Sequence, residues 1–191
     1  MTQKPLILVA NDDGVSAPGL RALIKVMNEF GEVVVVAPDG PQSGMGHAIT
    51  LNSALRCDKV HIDDGPQEEY SCSGTPVDCV KLAFNKILKR KPDLCVSGIN
   101  HGSNSSINVI YSGTMSAALE GALNGIPSIG FSLCDYDPNA ELSHSTQFIE
   151  KVVQNALDNG IPDLVALNVN IPAISDEKIK EFDNYELSEI E

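Results

Sequence analysis

The chain has 191 residues, 26 of them Asp or Glu against 13 Lys or Arg, for a formal net charge of −13. With 42% apolar and 20% charged residues it has the composition of a packed globular protein, of a length that suits one domain whose core needs no disulfide or structural metal. No apolar run approaches the roughly 18 residues of a membrane span, and an acidic chain without a basic stripe disfavours extended nucleic acid or an anionic membrane as partner, though not a single small nucleotide.

The acidic excess lies late in the chain. Residues 1–134 carry 13 acidic and 10 basic side chains, whereas residues 135–191 carry 13 and 3. Seven of the late acids fall between Asp176 and Glu191. The expected division is an α/β domain over residues 1–175 and a solvated acidic tail over 176–191. Five cysteines (Cys57, Cys72, Cys79, Cys95 and Cys134) make an odd number and no C-x-x-C pair, which reads as reduced, mostly buried thiols. The apolar run after Pro5 is too short for a signal-peptide core, so the expected location is cytoplasmic.

Strand and helix patterns alternate. Leu6–Ala10 is a continuous apolar run, as expected of a strand covered on both faces. Leu20, Leu23, Ile24 and Met27 give Pro18–Phe30 the stripe of an amphipathic helix. Val33–Ala37 is a second buried strand, closed by Pro38, and 38–47 is loop by composition. Short segments at Ala48–Leu51, Ala54–Ile62 and Glu69–Cys72, separated by polar turns, read as a small inserted β-hairpin region. Thr75, Pro76 and Asp78 are the start signals of a helix whose stripe runs through Val77, Val80, Phe84, Ile87 and Leu88. Asp93–Ser97 is a third strand, and residues 97–114, with 12 Gly, Ser, Asn or Thr among 18, read as a polar loop. Met115–Asn124 predicts a helix, Ser128–Leu133 a strand, Ser145–Asp158 a helix and Leu164–Val169 a fifth core strand. The pattern is that of a Rossmann-like α/β fold, a parallel-sheet core with helices on both faces.

Ligands of open parallel sheets bind beyond the carboxyl ends of the strands. Three predicted strands run into polar sequences there: Asn11-Asp12-Asp13-Gly14, Pro41-Gln42-Ser43-Gly44 and Ser97-Gly98-Ile99-Asn100. If the strands are neighbours, two carboxylates, a hydroxyl and an amide oxygen converge, a donor set for Mg²⁺ or Mn²⁺ (or Ca²⁺) rather than zinc. Taken singly, each has a plainer reading: Asp12 and Asp13 as a turn or helix cap, Ser43 as a loop serine, Asn100 as a turn former. Ser112, Gly113 and Thr114 open a helix, where free backbone N–H groups and the dipole favour an anion, or where Ser112 or Thr114 simply caps the helix. His47 and His101 lie in the same loops, with roles in orienting water or substrate, or in plain structural hydrogen bonding, both open. The chain has no P-loop, no G-x-S-x-G elbow, no H-E-x-x-H, and only part of a dinucleotide-binding glycine pattern.

These strings, with Gly74-Thr75-Pro76-Val77-Asp78-Cys79, Tyr111-Ser112-Gly113-Thr114, Ala118-Leu119-Glu120-Gly121-Ala122 and Leu167-Asn168-Val169-Asn170-Ile171-Pro172, occur in an order that resembles the SurE (stationary-phase survival protein E) family of metal-dependent 5′/3′-nucleotidases. The resemblance implies a divalent metal, Mg²⁺ or Mn²⁺, on Asp12, Asp13, Ser43 and Asn100, with Asp12 and Asp13 also catalytic. It places Asn104, Ser112, Gly113 and Thr114 near the phosphate. It further implies hydrolysis of nucleoside 5′- and 3′-monophosphates, with short polyphosphate as a substrate of some members. The alternative is a non-catalytic nucleotide- or phosphate-binding module. Family chains continue past the Asn-Val-Asn-Ile-Pro segment into elements of a homodimer or tetramer; this sequence ends at Glu191, which leaves that assembly open.

Overall fold

A computed structural model describes residues 4–137 and 139–173. The acidic stretch 176–191 lies outside them. Seven strands form one sheet in the order β3-β4-β2-β1-β5-β6-β7. They are β1 (Leu6–Ala10), β2 (Glu32–Pro38), β3 (Cys57–Val60), β4 (Glu68–Cys72), β5 (Leu94–His101), β6 (Ser128–Cys134) and β7 (Ala166–Pro172). All neighbours pair parallel except β3 and β4. Every side chain of β1 is buried, which explains its unbroken apolar run: strands covered on both faces cannot alternate.

The helices are α1 (Pro18–Phe30), α2 (Pro76–Leu82, followed by a π-helical turn over Ala83–Ile87), α3 (Asn108–Tyr111), α4 (Gly113–Leu123) and α5 (Ser143–Asn159). The stripe of α1 packs with Ile149, Val153 and Ala156 of α5 on one face of the sheet. On the other face, Cys79 and Val80 of α2 and Ala117 of α4 cover Leu8, Val36 and Cys95. Thr75 and Asp78 form the expected start of α2 as a reciprocal capping box, with Asp78 N–H donating to Thr75 Oγ1 at 3.1 Å and Thr75 N–H to Asp78 Oδ2 at 3.0 Å.

Because β1→β2 and β6→β7 step in opposite directions along the sheet while α1 and α5 share a face, the two crossovers have opposite hands. The crossovers through α2 and α4 agree in hand with α1. The β6–α5–β7 connection is thus the left-handed exception to a rule parallel crossovers seldom break.

Four expectations need correction. Strand β5 does not stop at Ser97: Asn100 and His101 pair with Ser132 and Leu133 after a register shift, so a polar stretch continues the sheet through a bulge. Helix α4 starts at Gly113 rather than Met115, because Ser112 supplies the cap. In the inserted region only β3 and β4 are strands, and β4 joins the main sheet as the parallel neighbour of β2; Ala48–Leu51 is not extended pairing. Finally, Cys57 and Cys72 are cross-strand partners and form a disulfide, whereas Cys79 and Cys95 are buried free thiols and Cys134 is exposed. Among the described residues no helix is long and apolar enough to cross a membrane.

The β3–β4 unit is tied to α1 by charge. Arg21 Nη1 meets Glu69 Oε2 at 2.7 Å, with the two side chains 12% and 2% exposed. Removing the arginine strands a buried carboxylate, so Arg21→Met should lower unfolding free energy by roughly 3 kcal/mol in urea titrations, and adding Glu69→Met should recover most of the loss. A double variant as unstable as the single one would show that packing, not charge, holds this corner.

Candidate active site

The strand order reverses between β1 and β5: the chain proceeds outward from β1 to β2 on one side and from β5 to β6 and β7 on the other. A crevice forms beyond the carboxyl ends at such a point. Here it is a cavity of about 290 Å³ that includes Asp12, Asp13, Ser43, Asn100, Asn104 and Ser112 in its lining and no Lys or Arg. A larger groove of about 670 Å³ between α1 and α5, lined by groups such as Glu29, Lys151 and Asp158, sits away from these strand ends.

Asp12 lies two residues past the end of β1 and is 5% exposed. Its Oδ1 accepts a 2.5 Å hydrogen bond from Thr114 Oγ1, and its carbonyl accepts one from Gln42 N–H at 2.7 Å. Burial pushes its carboxyl up to about 6; the Thr114 hydrogen bond opposes the shift and the Asp13 charge adds to it. Asp13 is also raised by burial, against the pull of nearby His101. Neither aspartate caps α1, whose cap position is Ala17 with no side-chain bond. The backbone of α4 comes so close that a methyl at Gly113 would lie 2.5 Å from Asp12 Cβ. Only glycine permits that approach, which brings the start of α4 against the first aspartate.

The bulged end of β5 presents Asn100, whose Nδ2 donates to Gly102 O at 2.7 Å and leaves its amide oxygen available. Asn104 is braced from the outer strands. Its N–H donates to Asn170 Oδ1 at 2.8 Å, its carbonyl accepts from Asn168 Nδ2 at 2.9 Å, and its own Nδ2 donates to Ser132 Oγ at 2.9 Å. Ser112 caps α4 by accepting from Met115 N–H at 3.0 Å. Both ring nitrogens of His101 are buried at the cavity without a hydrogen-bond partner.

Ser43 is exposed on the loop after β2, and that loop is pinned on both sides of it. Before Ser43 stands the Gln42–Asp12 backbone bond; after it, Gly46 N–H donates to Tyr111 O at 3.1 Å and His47 Nε2 lies 3.1 Å from Glu120 Oε2. Lys81 Nζ reaches the other Glu120 oxygen at 3.2 Å. Further along, Thr75 Oγ1 donates to Ala48 O at 2.7 Å and Thr50 Oγ1 to Asp78 Oδ2 at 2.6 Å. Burial would raise the Asp78 carboxyl, but the donors from Thr50 and Thr75 outweigh it and hold it below the usual range.

The comparisons with known proteins now bear on the site. The family model for "Survival protein SurE" matches residues 7–190. The chain belongs to the SurE family. A protein from Flavobacterium psychrophilum named 5′-nucleotidase SurE is 65% identical over 93% of this chain and 69% of its own length. One of the same name from Bacteroides fragilis is 52% identical over 89% and 66%. The crystal structure of the SurE protein from Aquifex aeolicus superposes with a TM-score of 0.82 at 42% identity, covering 92% of this chain and 69% of that one.

Against the SurE motif strings, the structure gathers Asp12, Asp13, Ser43, Asn100, Asn104 and Ser112 at one cavity. Gly113 and Thr114 stand behind it. Thr114 is fully buried and its hydroxyl donates to Asp12. Sequence reasoning missed Asn168, Asn170 and Ser132 as supports and Tyr136 as part of the lining. A signal for the first two was present: Asn is a poor strand former, and two at alternate positions of one strand share a face.

Among the described residues no group of three or more His, Cys, Asp or Glu could hold a metal ion, so a cation here would need oxygen donors besides the two carboxylates, and Ser43 and Asn100 are in the same lining. That mixed oxygen set, with Asp12 buried, Asp13 half-buried and no Lys or Arg in the lining, fits a hard divalent ion. Without one, Asp12 costs stability. Burial lifts its carboxyl to about 6, above the 3.8 usual for an aspartate, so the folded chain holds more protons between those limits and stability falls as pH rises through them. In chelator, Asp12→Asn should therefore be more stable than wild type above pH 6, by on the order of 3 kcal/mol, and the difference should vanish below about pH 4. Melting curves across that range check both the sign and the window.

Proposed function

We propose that this chain is a divalent-metal-dependent phosphomonoesterase acting on nucleoside 5′-monophosphates, with 3′-monophosphates and short polyphosphate as further substrates. The observation that carries the reading is the Asp12–Asp13 pair at the sheet's switch point, Asp12 buried against the start of α4 and Asp13 half-buried, with no Lys or Arg in the cavity. The relatives' shared name, 5′-nucleotidase SurE, supports it.

In this reading Asp12, Asp13, Ser43 and Asn100 hold Mg²⁺ or Mn²⁺. When bound, the ion supplies charge neutralisation at the phosphoryl group and acidifies water. Thr114 fixes Asp12 in one rotamer through its hydrogen bond, so the carboxylate is set before substrate arrives. The Ser112 hydroxyl and the braced Asn104, both in the cavity lining, are the polar groups set toward the phosphate's negative charge. His101, with unpartnered ring nitrogens beside Asp13, is placed to hold a proton at the leaving oxygen.

The test is phosphate release from AMP with Mn²⁺. EDTA should abolish it, and Asp13→Asn should keep the melting transition yet lower turnover roughly a hundredfold or more. Undiminished turnover in Asp13→Asn overturns the assignment. Saturable AMP binding with no phosphate release by the wild-type chain would establish a binding module instead.

A further inference from the structure

Two of the chain's four tyrosines line this one small cavity. Tyr111, the last residue of α3, is 60% exposed, and Tyr136, just beyond β6, is 72% exposed. The floor they border is polar, built of carboxylates, amides, hydroxyls and an imidazole. Large aromatic surface left in water around a charged pocket has no folding benefit to explain it.

Tyr136 is also held in place. Its ring packs against Gly102, where a methyl would come within 2.3 Å of Cε1 and 2.6 Å of Cδ1. Gly102 has φ +96°, a conformation that L residues rarely adopt, and its N–H donates to Leu133 O at 2.9 Å. The turn therefore fixes the spot on which the ring rests, two residues beyond Asn100. One side of the ring meets backbone; the ring as a whole stays open to solvent at the rim.

We propose that Tyr136, with Tyr111 beside the same cavity, is a stacking platform for the nucleobase of the substrate. This rests on the nucleotidase reading above and deepens it. The phosphate goes to the polar floor and the planar base lies on the tyrosine ring. Every base has a π-face, so stacking of this kind recognises a nucleotide as such and is tolerant of which base it carries. No pair of side chains at the rim is needed to read the base edge.

The experiment compares AMP with ribose 5-phosphate, which keeps the sugar and phosphate and lacks the base, in Mn²⁺. Wild type should favour AMP in kcat/KM. Tyr136→Ala should lower kcat/KM for AMP about tenfold, mainly through KM, with ribose 5-phosphate unaffected, and Tyr136→Phe should behave as wild type. An unchanged AMP preference in Tyr136→Ala, or an equal loss for both substrates, overturns the platform while leaving hydrolysis itself intact. Failure of the wild type to hydrolyse either substrate would count against the nucleotidase reading. In that case the same comparison made as dissociation constants by calorimetry still decides the platform: the AMP preference must fall in Tyr136→Ala and survive in Tyr136→Phe.

Discussion

Two adjacent carboxylates at the end of a buried strand, with no Lys or Arg in the cavity they share, are the constraint around which this molecule is arranged. Such a pair is costly unless something positive stands beside it. The surroundings bear the marks of a site kept in that condition. A threonine hydroxyl holds one carboxylate, a glycine lets a helix start press against it, and its carbonyl secures the neighbouring loop. These features fix a geometry, and the Thr114 bond offsets only part of the cost that burial puts on the Asp12 charge.

The loops at the cavity are not independent. The Ser43 loop is fastened to Asp12, to the carbonyl of Tyr111 and, through His47, to Glu120 on α4. Glu120 also takes Lys81 from α2, and Asp78 of α2 takes Thr50. The two helices on one face of the sheet thus set the position of a loop that leaves the sheet's far side of β1. Charged groups buried at such joints do more for uniqueness of position than for net stability.

Much of this was legible in the chain itself. The apolar runs at Leu6–Ala10 and Val33–Ala37 gave buried parallel strands, and Thr75-Pro76 with Asp78 gave a helix start down to its reciprocal cap. Asp12, Asp13 and Asn100 could be placed because strand ends in an open sheet point at one crevice. What stayed hidden was long-range pairing. Nothing local shows that Ser97–His101, polar enough for a loop, keeps its place in the sheet by bonding to Ser132 and Leu133, or that Cys57 meets Cys72 across two strands. That the Thr114 hydroxyl donates to Asp12 was equally illegible, since only the approach of α4 to β1 brings the two together. Asn168 and Asn170 stood out within the motif, but their partner is more than 60 residues away, at separations of 64 and 66.

That partner is Asn104, and the brace upon it has an implication of its own. β7 is outermost on its side of the sheet among the described residues, so it has a neighbour on one flank only, and terminal strands are the first to open in local unfolding. Its two asparagines hold one wall of the cavity by three hydrogen bonds, counting the one from Ser103. If that strand peels away, the wall loses its support while Asp12, Asp13 and the central strands stay folded. The pocket's integrity is thereby linked to β7, and whatever settles against that strand also governs how well formed the pocket is.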